Sequence, residues 1–496
     1  MRRDAMRCDA MECHTKRRAV ETLRYARHIA HPMTLVDPLD SRPVHFIGIA
    51  GAGMSGLAEL LARRGVTVTG TDANPTGAPD LAKLGIVVRA HDAALVANAR
   101  AVVYSSAIPS DHPEVVAARA RGIPLVRRAE ALAEAVRGGT VIGISGTHGK
   151  TTTTVMTTEA LTAAGRNPTG IVGGRVASWN GNLRIGSDTF VVESDEYDRS
   201  FLALTPSVAV VLNVEADHLD IYRDLDDITR AFEQFIAPAR VVVRCADDDG
   251  AMTLRIGSTS ETIAYSVTAS GATPSPHAGD ARLVARGLEF DASGSRFAVH
   301  FDGAWLGDVA LAVPGVHNVR NALGAIGAGL AVGLTLPAMT PGLAAFRGVE
   351  RRFQRIGSVG GIDVVDDYAH HPTEVQATLD AARHAFPERR IVLAFQPHLY
   401  SRTRDLHEDF ATALSAADVL FLCDIYGARE APDPAVTLSL IADRLRSNVL
   451  QWQGPRSSLS EALASVARAG DVVITMGAGD ITRTGPELLA ALETVS

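Results

Sequence analysis

Lysine is almost absent from this chain. Of its 48 basic residues only Lys16, Lys83 and Lys150 are lysines; the rest are arginines. Cysteine is as sparse. Cys8, Cys13, Cys245 and Cys423 are scattered over 496 residues, which excludes a disulfide scaffold and points to a reducing compartment, the cytoplasm. Cys8 and Cys13 stand too isolated to form a metal site. No apolar run approaches the roughly 20 residues of a membrane-spanning helix, so no membrane insertion is expected. Positive charge is not in excess either. The formal net charge of −8 gives no general field for nucleic acid, none is expected as a partner, and any anionic ligand must be held by local cations.

What the chain has in plenty is length and glycine, 44 residues of it. The length exceeds one ordinary core and predicts two to four domains. Residues 1–42 form an arginine-rich extension without the apolar core of a secretory signal. It reads as a disordered tail or a misassigned start, with Met33 opening a compact chain. From residue 43, strand Val44–Ile49, a glycine turn and a helix from about Met54 to Arg64 begin a β–α–β alternation that runs to 138. A second unit, 139–350, opens with strand Thr140–Ser145, a glycine turn and a threonine-rich helix. Its runs "DTFVVE" and "SVAVVLNV" read as buried parallel strands, and about 240–313 as a small antiparallel patch. A third unit, 351–496, carries "GIDVVDDY", "RIVLAFQ", "VLFLCDIY" and "DVVITMGAG" as strands. Its helix "PTEVQATLDAARHAF" is expected to open on a capping box of Thr373 and Gln376. The fold class is α/β with three domains: a Rossmann-like N-terminal domain, a P-loop-type central ATPase domain with a mostly parallel sheet, and a Rossmann-like C-terminal domain.

Two glycine loops carry the chemistry. In "HFIGIAGAGMSGLAEL", Gly51, Gly53 and Gly56 match G-x-G-x-x-G, a turn that lets backbone approach a diphosphate. Alone it suits a nicotinamide cofactor, with Asp72 as ribose ligand. The second loop, "GISGTHGKTTT", points backbone amides and a helix N-terminus at an anion. Lys150 adds a charge for the β- and γ-phosphates, and Thr151 a hydroxyl for Mg²⁺. In a chain that otherwise uses arginine, a lysine here marks a place for a compact ammonium. Ile144 stands where a strict P-loop has its first glycine, so Gly146 makes the turn.

Acids follow at two strand ends: Glu193, Asp195, Glu196 and Asp198 in "VVESDEYD", then Glu215, Asp217, His218 and Asp220 in "NVEADHLD". Mg²⁺ with nucleotide needs one or two carboxylates, so one acid of each loop is expected to serve and the others to be solvated. "DDYAHHPTE" and "QPHLYSRTRDL" would bring His370, His371, His398, Arg402 and Arg404 to one surface. No zinc-protease spacing is present, and the arginines are expected to face a carboxylate or phosphate, with Arg404 and Asp405 a surface pair.

In collinear order from about residue 43, "HFIGIAGAGMSGLAE", "SSAI", "RRAE", "GTHGKTTTT", "ESDEYDRSFL", "NVEADHLD", "PGVHNVRNALGA", "RRFQ", "DDYAHHPTEV" and "PHLYSRTRDL" resemble the Mur ligases. "GAGM", the paired histidines and the C-terminal arginine segment narrow the resemblance to the branch that adds L-alanine to UDP-N-acetylmuramate. The resemblance implies ATP-dependent amide formation in peptidoglycan precursor synthesis: ATP phosphorylates the muramyl carboxylate, and the amine of L-alanine attacks the acyl phosphate. It implies ATP as co-substrate, two Mg²⁺ ions, UDP-N-acetylmuramate and L-alanine as partners, and a monomer or weak homodimer.

Carried over by position, Gly48, Ala50, Gly51, Ala52, Gly53, Met54, Asp72, Ser105 and Ser106 would hold the UDP-sugar. Gly146, Thr147, His148, Gly149, Lys150, Thr151 and Thr152 would hold the ATP phosphates, with His317, Asn318, Asn321, Arg352 and Asp367 completing that site. Thr151, Glu193 and His218 would hold metal, and His371, His398 and Arg402 the amino acid. Lys150, Glu193, His218, His371 and Arg402 would carry catalysis. Leu399 stands where many relatives have arginine, which shifts weight to Arg402, and Ala50 where a glycine is common. Some siblings bridge their metals with a carbamylated lysine, which this chain cannot do because no lysine follows Lys150. Three rivals remain: a murein-recycling ligase that adds a tripeptide to the same sugar nucleotide, a nicotinamide-dependent oxidoreductase that leaves the second loop without a job, and a nucleotide-binding scaffold that would not need the histidine–arginine cluster.

Overall fold

The computed structural model describes residues 35–495 except 38, 219–220, 269–274, 429 and 447–448. Met33, Cys8, Cys13 and most of the extension expected to be disordered or misassigned lie outside the described residues. Its last part is described and is folded. Leu35 is buried, and Arg100 donates to the Asp37 and Asp40 carbonyls at 3.1 and 2.9 Å, so this stretch packs on the first domain.

Three sheets follow one another along the chain. The first is wholly parallel, in the order Val88–Arg89, Val68–Thr71, Val44–Ile47, Ala101–Tyr104, Leu125–Arg127. Its first strand ends two residues earlier than expected because Gly48 and Ile49 both donate to the single carbonyl of Thr71, at 2.8 and 3.1 Å, and the chain turns away there.

The central sheet has ten strands. From one edge they are Ala304–Leu311, Gly294–Phe301, Leu283–Asp291, Glu261–Val267, Val241–Cys245, Val208–Val211, Thr140–Ser145, Thr189–Glu193, Thr169–Val176 and Gly181–Arg184. The antiparallel patch expected over about 240–313 needs correction. Val241–Cys245 and Glu261–Val267 are parallel members of the sheet, and the last three strands extend that same sheet as antiparallel hairpins. The final reversal falls at Asp302 and Gly303, both with positive φ (48° and 82°), the turn that returns a strand on its neighbour. The third sheet runs Gln354–Val359, Ile362–Asp367, Val472–Met476, Ile391–Phe395, Val419–Cys423, Leu450–Gly454, with only its first pair antiparallel.

One apolar cluster runs without break from the first sheet, through Phe46 and Leu61, into the central one at Phe190 and Val242, and takes in Phe232 of helix Leu225–Ile236. The two clusters that flank the third sheet, around Phe410 and around Phe421, contain no residue of the central sheet. The third domain therefore has its own core and reaches the site through polar contacts.

Helix Lys150–Ala163 is rich in threonine, a poor helix former because of its branched side chain. It packs against helices Val316–Ala331 and Leu336–Ala345. Two of its buried hydroxyls return to carbonyls four residues back, Thr157 to Thr153 at 2.7 Å and Thr158 to Thr154 at 2.8 Å, which satisfies them without water, whereas the buried Thr153 hydroxyl has no partner among the described residues.

Candidate functional site

Strands Val208–Val211, Thr140–Ser145 and Thr189–Glu193 lie side by side and parallel. The loops leaving their carboxyl ends therefore meet, however far apart in sequence. Gly149 caps the helix after the phosphate loop with φ 82°, and a Cβ there would stand 2.5 Å from Asn321 Oδ1; both facts demand glycine. The Thr151 hydroxyl donates to Glu193 Oε1 at 3.0 Å, and Gly173 N–H to Glu193 Oε2 at 2.7 Å. Burial raises the Glu193 carboxyl above its usual range.

Lys150 Nζ donates to both Glu196 oxygens, at 3.0 and 2.8 Å, and to the Gly146 and Thr147 carbonyls at 2.7 and 3.2 Å. Burial opposes its charge, but Glu196 and Asp195 outweigh that and raise it. His218, on left-handed backbone (φ 55°), places Nε2 3.6 Å from Glu196 Oε1. Asp195, Glu196 and His218 offer ligand atoms within 4.8 Å of one another. Carboxylates and a hydroxyl are the donors a hard cation prefers, so Thr151 with Glu193, and the Asp195–Glu196–His218 set beside them, fit Mg²⁺.

The expectation of one working acid per loop is too low. Glu196 is buried on Lys150, and Glu215 and Asp217 both pair with the third domain; Asp220 lies outside the described residues. Adjacent strand ends turn more carboxylates inward than spacing alone suggests, and Lys150, His148 and Arg402 neutralise them.

Beside the loop opens a cavity lined by His148, Gly149, Thr151, Thr152, His317, Asn318, Asn321, Arg352 and Asp367. Leu212, Tyr265, Val313 and Phe346 give it apolar walls, the character of a pocket for a flat base. Burial, with Arg320 and Arg352, pushes His317 down to about 4. Burial pushes Asp367 up to about 6 against the pull of Arg352, and its oxygens accept the Phe353 and Ala369 amides at 2.7 Å each. Sequence reasoning missed Asn213, whose Oδ1 accepts His148 N–H at 2.7 Å and whose amide donates to the His148 carbonyl at 3.2 Å. Its signal was a polar residue just beyond an apolar strand, two residues past Val211.

The third domain closes the far side. His371 caps helix Pro372–Ala385, its Nδ1 accepting Thr373 N–H at 3.4 Å. The expected Thr373–Gln376 capping box does not form. With Pro372 as first helical residue, Thr373 is already inside the helix. Its hydroxyl donates instead to Glu215 Oε2 of the central domain at 2.8 Å, and Gln376 donates to Asp380. Arg402 Nη2 donates to Asp217 Oδ1 at 3.0 Å, and Nη1 lies 3.4 Å from His398 Nδ1. The His148 and His371 ring centroids are 4.9 Å apart.

The two histidines titrate in opposite directions. Burial disfavours charge on His148, yet Glu374 and Glu215 push it up to about 9. Burial, helped by charged His148, pushes His371 down to about 4, and its buried Nε2 has no hydrogen-bond partner among the described residues. Glu374 was not singled out from the sequence. It is held well below the usual carboxylate range: burial opposes that, and His370 and His148 prevail. Leu399 is buried at φ 71°. Arg404 pairs with Asp405 at 2.9 Å on the surface.

In the first domain Gly51 caps helix Ala52–Arg63, Met54 is buried, and Ala50 N–H donates to Asp72 Oδ2 at 2.9 Å. Asp72 thus braces the loop. Arg128 lays its guanidinium on Gly53, Nη1 3.1 Å from where a side chain would begin. It also lines a cleft with Ser106, Asp195 and Tyr197, which joins the first loop to the acidic loop of the central domain. Gly48 and Ser105 lie in the turns that follow strands Val44–Ile47 and Ala101–Tyr104.

Sequence profiles match the chain in three consecutive pieces: the Mur ligase family catalytic domain over 43–140, the Mur ligase middle domain over 144–329 and the Mur ligase glutamate ligase domain over 351–479. A UDP-N-acetylmuramate–L-alanine ligase of Kineococcus radiotolerans is 45% identical over 460 residues, 90% of this chain and 96% of that one. The one of Salinibacter ruber is 41% identical over 462 residues, 91% and 95%. Among solved structures, the UDP-N-acetylmuramate–alanine ligase of Thermotoga maritima superposes with a TM-score of 0.77 at 28% identity, covering 92% of this chain and all of that one. A murein peptide ligase of Psychrobacter arcticus gives 0.63 at 26%, covering 92% and 99%. The chain belongs to the Mur ligase family.

Proposed function

We propose that the chain joins L-alanine to the carboxylate of UDP-N-acetylmuramate, consuming ATP, through an acyl phosphate. The observation that carries this reading is the position of Lys150, Glu193 and His218 beside an apolar-walled nucleotide cavity, with Arg402 and its neighbour His398 brought to them through Asp217. The identities with alanine-adding ligases support the choice of amine.

A carboxylate resists amine attack because it lacks a good leaving group; phosphorylation provides one. In this reading Lys150 exchanges Glu196 for the β- and γ-phosphates and neutralises charge on the transferring group. Thr151 and Glu193 would hold one Mg²⁺ and His218, with Asp195 and Glu196, a second; two oxygen-rich sets side by side support two ions. Bound there, Mg²⁺ would supply charge to the phosphate oxygens. Asn318 and Asn321 border the base, and Arg352 and Asp367 reach ATP from the third domain. Arg402 presents its guanidinium to the alanine carboxylate, a match of planar forks. His371, neutral at pH 7 with Nδ1 accepting Thr373 N–H, carries its proton on Nε2 and would donate it to the bound amino acid.

Residues 43–138 would grip the UDP-sugar by the first glycine loop, Arg128 and Ser106, residues 139–350 the ATP, and residues 351–496 the amino acid. The protein would act as a monomer or weak homodimer in the cytoplasm. No described helix is long and apolar enough to cross a membrane.

Phosphate release with ATP, Mg²⁺ and UDP-N-acetylmuramate, with the amine varied, tests the reading. L-Alanine should stimulate release strongly. Stimulation by an L-alanine-led tripeptide alone would favour the recycling reaction instead.

A further inference from the structure

Glu374 is buried between two subsites and touches both. Its Oε1 lies 3.2 Å from Nδ1 of His148, on the phosphate loop, and 3.3 Å from Nη1 of Arg352, at the nucleotide cavity. Its Oε2 accepts the backbone N–H of His370 at 3.0 Å and lies 3.2 Å from His370 Nδ1. The His370 ring packs against His398 with centroids 5.7 Å apart, and His398 adjoins Arg402. One carboxylate therefore gives one oxygen to the ATP side and the other to the amino-acid side. The Glu374 side chain is only 9% exposed, and hydrogen bonds of a largely buried carboxylate are strong.

We propose that Glu374 is a positioning residue that couples occupation of the nucleotide pocket to the readiness of the amino-acid pocket. The proposal rests on the reading of those pockets given above. Nucleotide fixes His148 and Arg352, which fix Oε1. The other oxygen then sets the backbone and ring of His370 against His398 and Arg402. Coupling of this kind is reciprocal: the amino acid must strengthen nucleotide binding by the same factor. A merely structural Glu374 would alter stability, or both affinities independently, but not the response of one affinity to the other ligand.

The test is calorimetric binding of AMP-PNP with Mg²⁺ to the full chain, UDP-N-acetylmuramate saturating, with and without L-alanine. In the wild type L-alanine should tighten the analogue by about fivefold or more. In Glu374→Gln, which keeps the shape and loses the charge, the tightening should fall below about twofold, whatever the affinity in the absence of L-alanine becomes. Glu374→Asp, which keeps the charge and withdraws the oxygens, should lose it too. Full tightening in both variants, or none in the wild type, overturns the proposal. L-Alanine-dependent phosphate release by the wild type, measured alongside, separates the two readings. Its absence overturns the functional reading and this proposal with it; its presence, with coupling intact in the variants, overturns only the role of Glu374.

Discussion

Arg402 of the third domain and Asp217 of the central domain, 185 positions apart in sequence, form an ion pair at 3.0 Å. Burial opposes charge on Asp217, yet Arg402 holds its carboxyl far below the usual range. The one arginine assigned to the alanine carboxylate is thus oriented by an acid that the fold brings from the neighbouring domain. Arg402→Ala should cut kcat/KM for L-alanine by about 100-fold, since removing one partner of a buried charge pair typically loses 2–5 kcal/mol. The ATP KM should stay within about threefold. Arg402→Lys should recover little, because an ammonium lacks the fork. Initial rates at varied L-alanine decide this; an unchanged L-alanine KM in Arg402→Ala would remove Arg402 from the amino-acid pocket.

Lys150 and Glu196 form the other critical pair, at 2.8 Å. Lys150→Met should lower turnover by about 1,000-fold, at the upper end for loss of one charge-stabilising group, and destabilise the fold by about 3–5 kcal/mol, because Glu196 is left buried and unpaired. The double variant Lys150→Met, Glu196→Gln should regain most of the stability and none of the turnover. Denaturant unfolding beside rates separates the two roles, and recovery of turnover in the double variant would contradict the phosphate role of Lys150.

Gly149→Ala should fail for two reasons. The left-handed φ of 82° disfavours any side chain, and the new methyl would sit 2.5 Å from Asn321 Oδ1. We expect a loss of about 1–3 kcal/mol in stability and weaker nucleotide binding, because Asn321 must move from the cavity wall. Calorimetric titration with AMP-PNP checks it; wild-type affinity would show that Asn321 does not bear on the nucleotide.

The collinear blocks made the domain order legible, because most of them sit where a parallel strand ends and a loop begins; "PGVHNVRNALGA" follows an antiparallel strand and "RRFQ" leads into one. The phosphate loop, the acidic loops and the histidine–arginine segments could all be seen as strings. Their partners could not. Glu374 reads as an ordinary first-turn helix acid, and only the approach of His148 from another domain gives it a task. Thr373 looks like a cap by spacing, but Pro372 starts the helix one residue earlier and frees its hydroxyl for Glu215. Asn213 gives no sign of locking the phosphate loop until strand Val208–Val211 is set beside Thr140–Ser145. The third glycine of the first motif is likewise explained from outside its own domain: a Cβ on Gly56 would stand 2.9 Å from Asn182 Oδ1 of the central domain.

His148 gives a pH dependence with a definite sign. Glu374 and Glu215 raise it from 6.5 to about 9 in the fold, with neutral His371 as its other neighbour. A histidine raised on folding contributes stability that is fully present below its unfolded pKa, near 6.5, and is lost as pH climbs through about 9. Thermal midpoints should therefore fall between pH 7 and 9, both limits being approximate, and the fall should be shallower in His148→Asn. An equally steep fall in that variant would place the titration elsewhere.

The central claim is L-alanine ligation through an acyl phosphate, and isotope transfer tests it most directly. UDP-N-acetylmuramate labelled with ¹⁸O in both oxygens of the muramyl carboxylate is incubated with ATP, Mg²⁺ and L-alanine, and the phosphate and the sugar nucleotide are weighed by mass spectrometry. The account predicts one ¹⁸O in each phosphate released and one alanine gained, as an amide, by each sugar nucleotide. Phosphate without label, or a sugar nucleotide that gains no alanine, would contradict it.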